Sequence, residues 1–169
     1  KQELQDMDTT TESFPGVTRE MLRKMLDRAG ASHRLDTAAG EKNSDEVMRG
    51  HFFHCGYSGG LSVHGSDAVE LQDLSSMSEV QPGISFNIVF SGQVEFTLGA
   101  SRCSLGKSGI QPVECSAYAL ARPDMMSRFT RSGMHVRKLN LFVERGWLQQ
   151  RCRTEEEAAQ LQELFSGHG

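Results

Sequence analysis

The sequence predicts a mainly β domain, an antiparallel sandwich or barrel with one helix before it and helices after it. Three observations carry this expectation. Short alternating stretches recur between residues 48 and 143, and Gly, Pro, Ser or Asp separates most of them. The longest, PGISFNIVFSGQVEFTLG from Pro82 to Gly99, reads as two strands joined by a tight turn. Helical periodicity is confined to the two ends of the chain.

Residues 1–13 are polar, and the expectation is a mobile segment. Phe14-Pro15-Gly16 punctuates it. From Val17 to Ala29 one apolar stripe (Val17, Met21, Leu22, Met25, Leu26, Ala29) marks a helix, with Gly30 as its stop. Residues 31–47 show no apolar period and read as a loop or linker. The β body opens near Met48. Strands are expected at 49–55, 60–64, 68–74, 84–91, 93–98, 101–105, 113–121, 125–130 and 134–143. In the central pair, Ile84, Phe86, Ile88 and Phe90 form one apolar row, and Val94, Phe96 and Leu98 form another. Both rows are expected to face the same covering layer, with Gly92 supplying the positive φ of a hairpin turn.

After Val143 the mode changes. ERGWLQQRC (144–152) looks like a short helix, and Thr154 opens a second. Thr154 with Glu157 fits a capping box, Glu155, Glu156 and Glu157 suit the helix dipole, and Gly167 ends the helix. The expected organisation is therefore residues 1–47 as N-terminal helix and linker, 48–143 as β body and 144–169 as C-terminal helices.

With 169 residues the chain can bury one real core. A charged fraction of 24% and a net charge of −4 argue against nucleic-acid binding by this segment, which needs a basic face. No apolar run approaches the roughly 18–20 residues of a membrane helix. The N-terminal KQELQDMDTTTE is polar, unlike a signal peptide, and has no initiator Met, so a trimmed or partial chain is expected. Cys55, Cys103, Cys115 and Cys152 are scattered singly, which reads as reduced thiols in the cytoplasm.

Several motifs invite chemistry and do not sustain it. Gly56-Tyr57-Ser58-Gly59-Gly60 matches the nucleophile-elbow pattern, but a strand rather than a helix follows, so a glycine-rich turn is expected. Gly106-Lys107-Ser108 resembles the end of a phosphate loop, but Ser101 stands where the pattern needs glycine. His51, His54, Cys55 and His64 suggest a metal, yet on a strand His51 and His54 point to opposite faces and cannot converge. No catalytic residue, metal or cofactor is expected.

The most informative stretch is Met134–Val143, MHVRKLNLFV. One face carries His135, Arg137, Leu139, Leu141 and Val143; the other carries Met134, Val136, Lys138, Asn140 and Phe142. The first has three consecutive apolar members and is the expected inward face. It would carry Arg137, with His135, toward the mouth of the sandwich, where an Arg fork matches an acidic ligand. The alternative is that Arg137 turns to solvent or pairs with Glu95 or Glu114.

The run GISFNIVFSGQVEFTLG, then CSLG, AYALARPD and SGMHVRKLNLFVERGWLQQRC, resembles the N-terminal regulatory domain of AraC-family transcription regulators, in the branch that includes the pyochelin regulator. The resemblance covers about residues 55–165. It implies a cupin-like β barrel that senses a small effector, helices that dimerise, and a C-terminal helix-turn-helix domain that this chain lacks. Metal-dependent cupins carry a His, His, Glu and His cluster. Here no His-x-His occurs, and only His135 after Gly133 matches faintly, which fits binding without catalysis.

The expected function is thus effector sensing and homodimerisation on behalf of an absent DNA-binding half, in the cytoplasm and away from membranes. The effector class suggested by the branch is a siderophore or acidic metabolite. Ligand contacts are assigned to Arg137, His135, Tyr118, Phe86 and Phe96, with Ile88, Phe90 and Leu98 as further wall or core. Dimer contacts are assigned to Leu161, Leu164 and Phe165, with packing of this helix on its own barrel as the alternative. The rival readings are a metal-dependent cupin-type enzyme and a ligand-free β-sandwich interaction module.

Overall fold

The computed structural model describes residues 9–29, 33–37, 45–57, 59–106 and 113–167. In chain order the elements are β1 (Thr9–Thr18), α1 (Arg19–Ala29), β2 (His33–Thr37), β3 (Glu46–Tyr57), β4 (Leu61–Glu70), β5 (Leu74–Val80) and β6 (Gly83–Ser91). Then come β7 (Val94–Leu98), β8 (Ser101–Leu105), β9 (Glu114–Leu120), β10 (Asp124–Thr130), β11 (His135–Glu144), α2 (Arg145–Gln149) and α3 (Glu155–Leu164). The strands form two antiparallel sheets, one ordered β1-β3-β4-β11-β6-β9 and the other β2-β5-β10-β7-β8. The mainly β, two-layer fold expected from the alternating pattern is present.

The sheets take in more of the N-terminal region than expected. Strand β1 pairs with β3 from Thr9↔Tyr57 to Thr18↔Glu46, so residues 9–13 are sheet rather than a mobile segment. Strand β2 pairs with β5 from His33↔Ser78 to Thr37↔Leu74, inside the stretch read as linker. Neither strand has a regular apolar row in its sequence, and their pairing with β3 and β5 is what makes them strands. Helix α1 starts at Arg19, two residues after the expected Val17, and Thr18 Oγ1 accepts a hydrogen bond from Met21 N at 3.2 Å. Val17 instead belongs to β1, buried with Val47, Met48 and Ala68, and Met21 and Leu22 pack against this cluster.

The second correction concerns the central pair. β6 and β7 belong to different sheets, so Ser91-Gly92-Gln93 is a corner between layers and not a hairpin turn. Gly92 has φ +80°, and a Cβ there would lie 2.2 Å from the His135 carbonyl oxygen. Only glycine can turn the chain that close to β11. The expected strands at 60–64 and 68–74 are likewise one strand, β4, followed by the Ser-rich β5.

The apolar core lies between the layers. Val89, Val94, Phe96, Leu98, Leu105, Leu120 and Val136 are its buried members, and Tyr118, Met126 and Met134 pack against them. At the C-terminal end the Thr154 side chain accepts from Glu157 N at 3.1 Å, and Glu157 Oε2 accepts from Arg153 N at 2.6 Å. The cap expected from the sequence therefore forms. Phe165 is buried in its own chain under the Arg145 guanidinium, 5.1 Å from its ring centroid. It is not free to face a partner, which corrects its assignment as a dimer contact. Leu164 is exposed and Leu161 half-buried. No helix among the described residues is long and apolar enough to cross a membrane.

Candidate functional site

A cavity of about 490 Å³ lies between the two sheets. Its wall is built by strand parity. On β11 the buried Val136 fixes which row turns inward, and Lys138, Asn140 and Phe142 follow at the two-residue period. On β6 the buried Ser85 and Val89 set the inward row, with Asn87 between them. β4 contributes Ser62, His64 and Ser66, β3 contributes Phe52 and His54, and the opposite sheet contributes Ser76, Ser78, Phe96, Met126 and Arg128. The register aligns these rows: Asn140 lies opposite both His64 and Asn87, and Lys138 opposite Ser66 and Val89.

This inward row reverses the face expected from the sequence. His135 and Arg137 point outward, with side chains 55% and 62% exposed. His135 Nε2 lies 2.6 Å from Asp67 Oδ1, and Arg137 Nε lies 3.6 Å from Asp67 Oδ2, with its guanidinium over the Phe90 ring. Neither lines the cavity. The acids named as alternative partners are engaged elsewhere: Glu95 faces Arg102 and Arg131, and Glu114 accepts from Gly106 N. Phe86 and Phe90 are also turned outward, each 41% exposed. A bulge between Arg137 and Lys138 skips Phe90 in the pairing with β6 and sets the parity on either side. Of the five ligand candidates, Tyr118 and Phe96 lie on the cavity wall, their ring centroids 6.2 Å apart. Burial raises the Tyr118 phenol pKa, which keeps it protonated at neutral pH.

The electrostatics of the wall are uneven. Arg128 Nη2 pairs with the buried Glu70 carboxylate at 2.6 Å, while Arg128 Nε is buried with no hydrogen-bond partner. Asn140 Nδ2 donates to Ser85 Oγ and to Asn87 Oδ1, both at 2.8 Å, and Asn87 Nδ2 is left buried and unpaired. Lys138 forms no hydrogen bond or ion pair among the described residues, and the surface it retains faces the cavity. Burial, followed by the nearby Arg128 charge, lowers its pKa to about 7, against a smaller upward pull from Glu70. Burial also brings His64 down to about 3, helped by Lys138, Arg128 and His54, so it is neutral at physiological pH. Its ring stacks on Phe52 at 6.4 Å.

Sequence reasoning missed Lys138, Asn140, Asn87, Ser85 and Arg128. A usable sign was the composition of the polar rows. Ser and Asn predominate there, where a solvent-facing strand more often carries Lys, Glu and Thr. No group of three or more His, Cys, Asp or Glu among the described residues could hold a metal. Ser58 of the elbow-like motif and Lys107 and Ser108 of the loop-like motif lie outside the described residues.

A family model described as the regulatory protein PchR N-terminal domain matches residues 49–168. The chain belongs to this family. The crystal structure of the AraC-like transcriptional activator CuxR is similar in fold, with a TM-score of 0.50 and 14% identity. That alignment covers 90% of this chain and 52% of the CuxR chain, so the PchR-type chain spans about half the length of that protein. No curated protein matches in sequence. The chain is thus an AraC-type N-terminal regulatory domain, as the resemblance of the strand and helix motifs implied. The match takes in β11 and both C-terminal helices of the PchR-type domain, together with nearly all of the cavity wall.

Proposed function

We propose that this domain is the effector-sensing and dimerising part of a bacterial AraC-type regulator, acting in the cytoplasm on a C-terminal helix-turn-helix DNA-binding domain. The observation that carries the reading is the 490 Å³ cavity between the sheets of a regulatory domain. A volume of that size matches small-molecule sites, and its wall sets apolar rings beside placed polar groups. A filled core would have favoured the ligand-free interaction module. Membership of a regulatory family supports a binding domain over a cupin-type enzyme. Tyr118 and Phe96 remain ligand contacts in this reading. Occupancy would bias the packing of β11 against α2 and α3, which follow it directly, and so alter how the DNA-binding half is held. A siderophore or acidic metabolite is the effector class that the family suggests.

The test is fluorescence titration of the purified domain with N-phenyl-1-naphthylamine, a neutral dye that brightens in apolar cavities. Saturable one-to-one binding is expected in the wild type and its loss in Ser78→Trp, which fills the cavity from β5. Binding that persists unchanged in a folded Ser78→Trp variant would place the dye elsewhere and overturn the cavity as the site.

A further inference from the structure

We propose that the cavity takes an organic anion, with its negative group seated against Lys138 and its apolar frame against Phe52, Phe96 and Tyr118. The inference rests on the cavity being the effector site and names the chemical class that it selects.

Three donor groups at this wall have no acceptor, two of them closed inside it and the third, the Lys138 amine, facing the cavity. Arg128 Nε and Asn87 Nδ2 are buried without acceptors. The Lys138 amine has none among the described residues. Asn87 Oδ1 and Ser85 Oγ, which could have accepted, already receive the Asn140 amide. An acceptor with several lone pairs, such as a carboxylate, sulfonate or phenolate, answers the Lys138 amine, the one of the three that faces the cavity.

The nearby acid does not substitute for a ligand. Glu70 is held by Arg128 at 2.6 Å, and it is the one carboxylate with a resolved pull on Lys138. The other wall carboxylates stand off. Glu144 is six residues along β11 from Lys138, roughly 20 Å at strand spacing. Glu12 is three strands away across the sheet, about 14 Å. Glu79 receives the Gln81 side-chain amide at 3.0 Å. Position also favours this end: Lys138 is opposite Val89 and Ser66, where the polar wall meets the apolar core, so an anion there keeps its hydrocarbon frame on the rings.

Proton uptake should accompany binding. The charged and titratable groups around Lys138 are Arg128 on β10, His64 and Glu70 on β4 and His54 on β3. Burial holds Lys138 near its midpoint at neutral pH, whereas an anion favours the ammonium form. Anion affinity is therefore highest below pH 7 and declines as pH rises toward 9.

The experiment compares 8-anilino-1-naphthalenesulfonate with N-phenyl-1-naphthylamine, which is the same frame without the sulfonate. We expect the sulfonate to bind the wild-type domain at least tenfold more tightly at pH 6.5, with the advantage shrinking at pH 9. In Lys138→Met the ratio of the two affinities falls to near one, and in Lys138→Gln it falls most of the way. Circular dichroism confirms that both variants are folded. Equal affinities in the wild type, or an advantage that survives both substitutions, would overturn the anion inference while leaving the cavity reading standing. Failure of both dyes to bind would overturn the cavity reading, and the inference with it.

Discussion

Lys138 shows how strongly one buried group can couple this fold to solution conditions. Its pKa in the folded chain, about 7, lies below the ordinary 10.5. Between those values the unfolded chain holds a proton that the folded chain does not, so stability rises with pH across this window. The slope approaches 1.4 kcal/mol per pH unit, on the order of one proton. Urea denaturation midpoints are therefore expected to climb between pH 7 and 9.5, and Lys138→Met should flatten that climb and be the more stable protein at pH 6. A Lys138→Met variant with the wild-type slope would mean that Lys138 is solvated when folded. His64 acts on the acid side. Its folded pKa of about 3 lies below 6.5, so stability that is full above pH 6.5 is lost as pH falls toward 3. The outward pair behaves differently: Arg137 and His135 share Asp67 at the surface, where solvent screens the interaction and its contribution is small.

At the scale of the element, the turn between β6 and β7 decides which strand faces are inside. Both strands alternate cleanly, but because they sit in different sheets the corner at Gly92 sets their relative orientation. The β7 row Val94, Phe96 and Leu98 is buried, whereas Phe86 and Phe90 of the β6 row are outside. Gly92→Ala is expected to destabilise the domain by more than the ~1–2 kcal/mol of a left-handed backbone, because its Cβ also meets the His135 carbonyl. Gly133→Ala is the control: φ is +81° there too, but a Cβ would meet nothing within 4 Å, so only the backbone cost of about 1–2 kcal/mol applies. Equal losses for the two variants in urea melts would show that the corner relaxes away from β11. In α3 the local signal was sufficient. Thr154 and Glu157 make the bonds that their spacing promised, because a helix cap involves only neighbours in sequence.

For the whole molecule the prediction concerns assembly. Helix α3 is anchored by Phe165 and presents Leu164, 51% exposed, beside Leu161. If the regulator dimerises through this helix, Leu161→Glu with Leu164→Glu should convert a dimer of the purified domain into a folded monomer in analytical ultracentrifugation. An unchanged dimer would move the interface away from α3. Phe165 is left intact in this design, since replacing it would expose its pocket against Arg145 and confound unfolding with dissociation.

The sequence by itself determined the β class, most of the strands from β3 onward, the C-terminal helices and the family, because these rest on local period, turn residues and motif order. It did not show β1 and β2, whose polar residues become strands only against β3 and β5. Nor did it show which face of β6 and β11 turns inward. Alternation guarantees two faces, and the rule that the apolar face is buried holds only when the interior is apolar. Here the space between the sheets is partly a polar cavity. Ser85, Asn87, Lys138 and Asn140 turn in, and the ring row of Phe86 and Phe90 turns out. That choice was made by the corner at Gly92, the bulge beside Lys138 and the buried Val89 and Val136, which only the tertiary structure brings together.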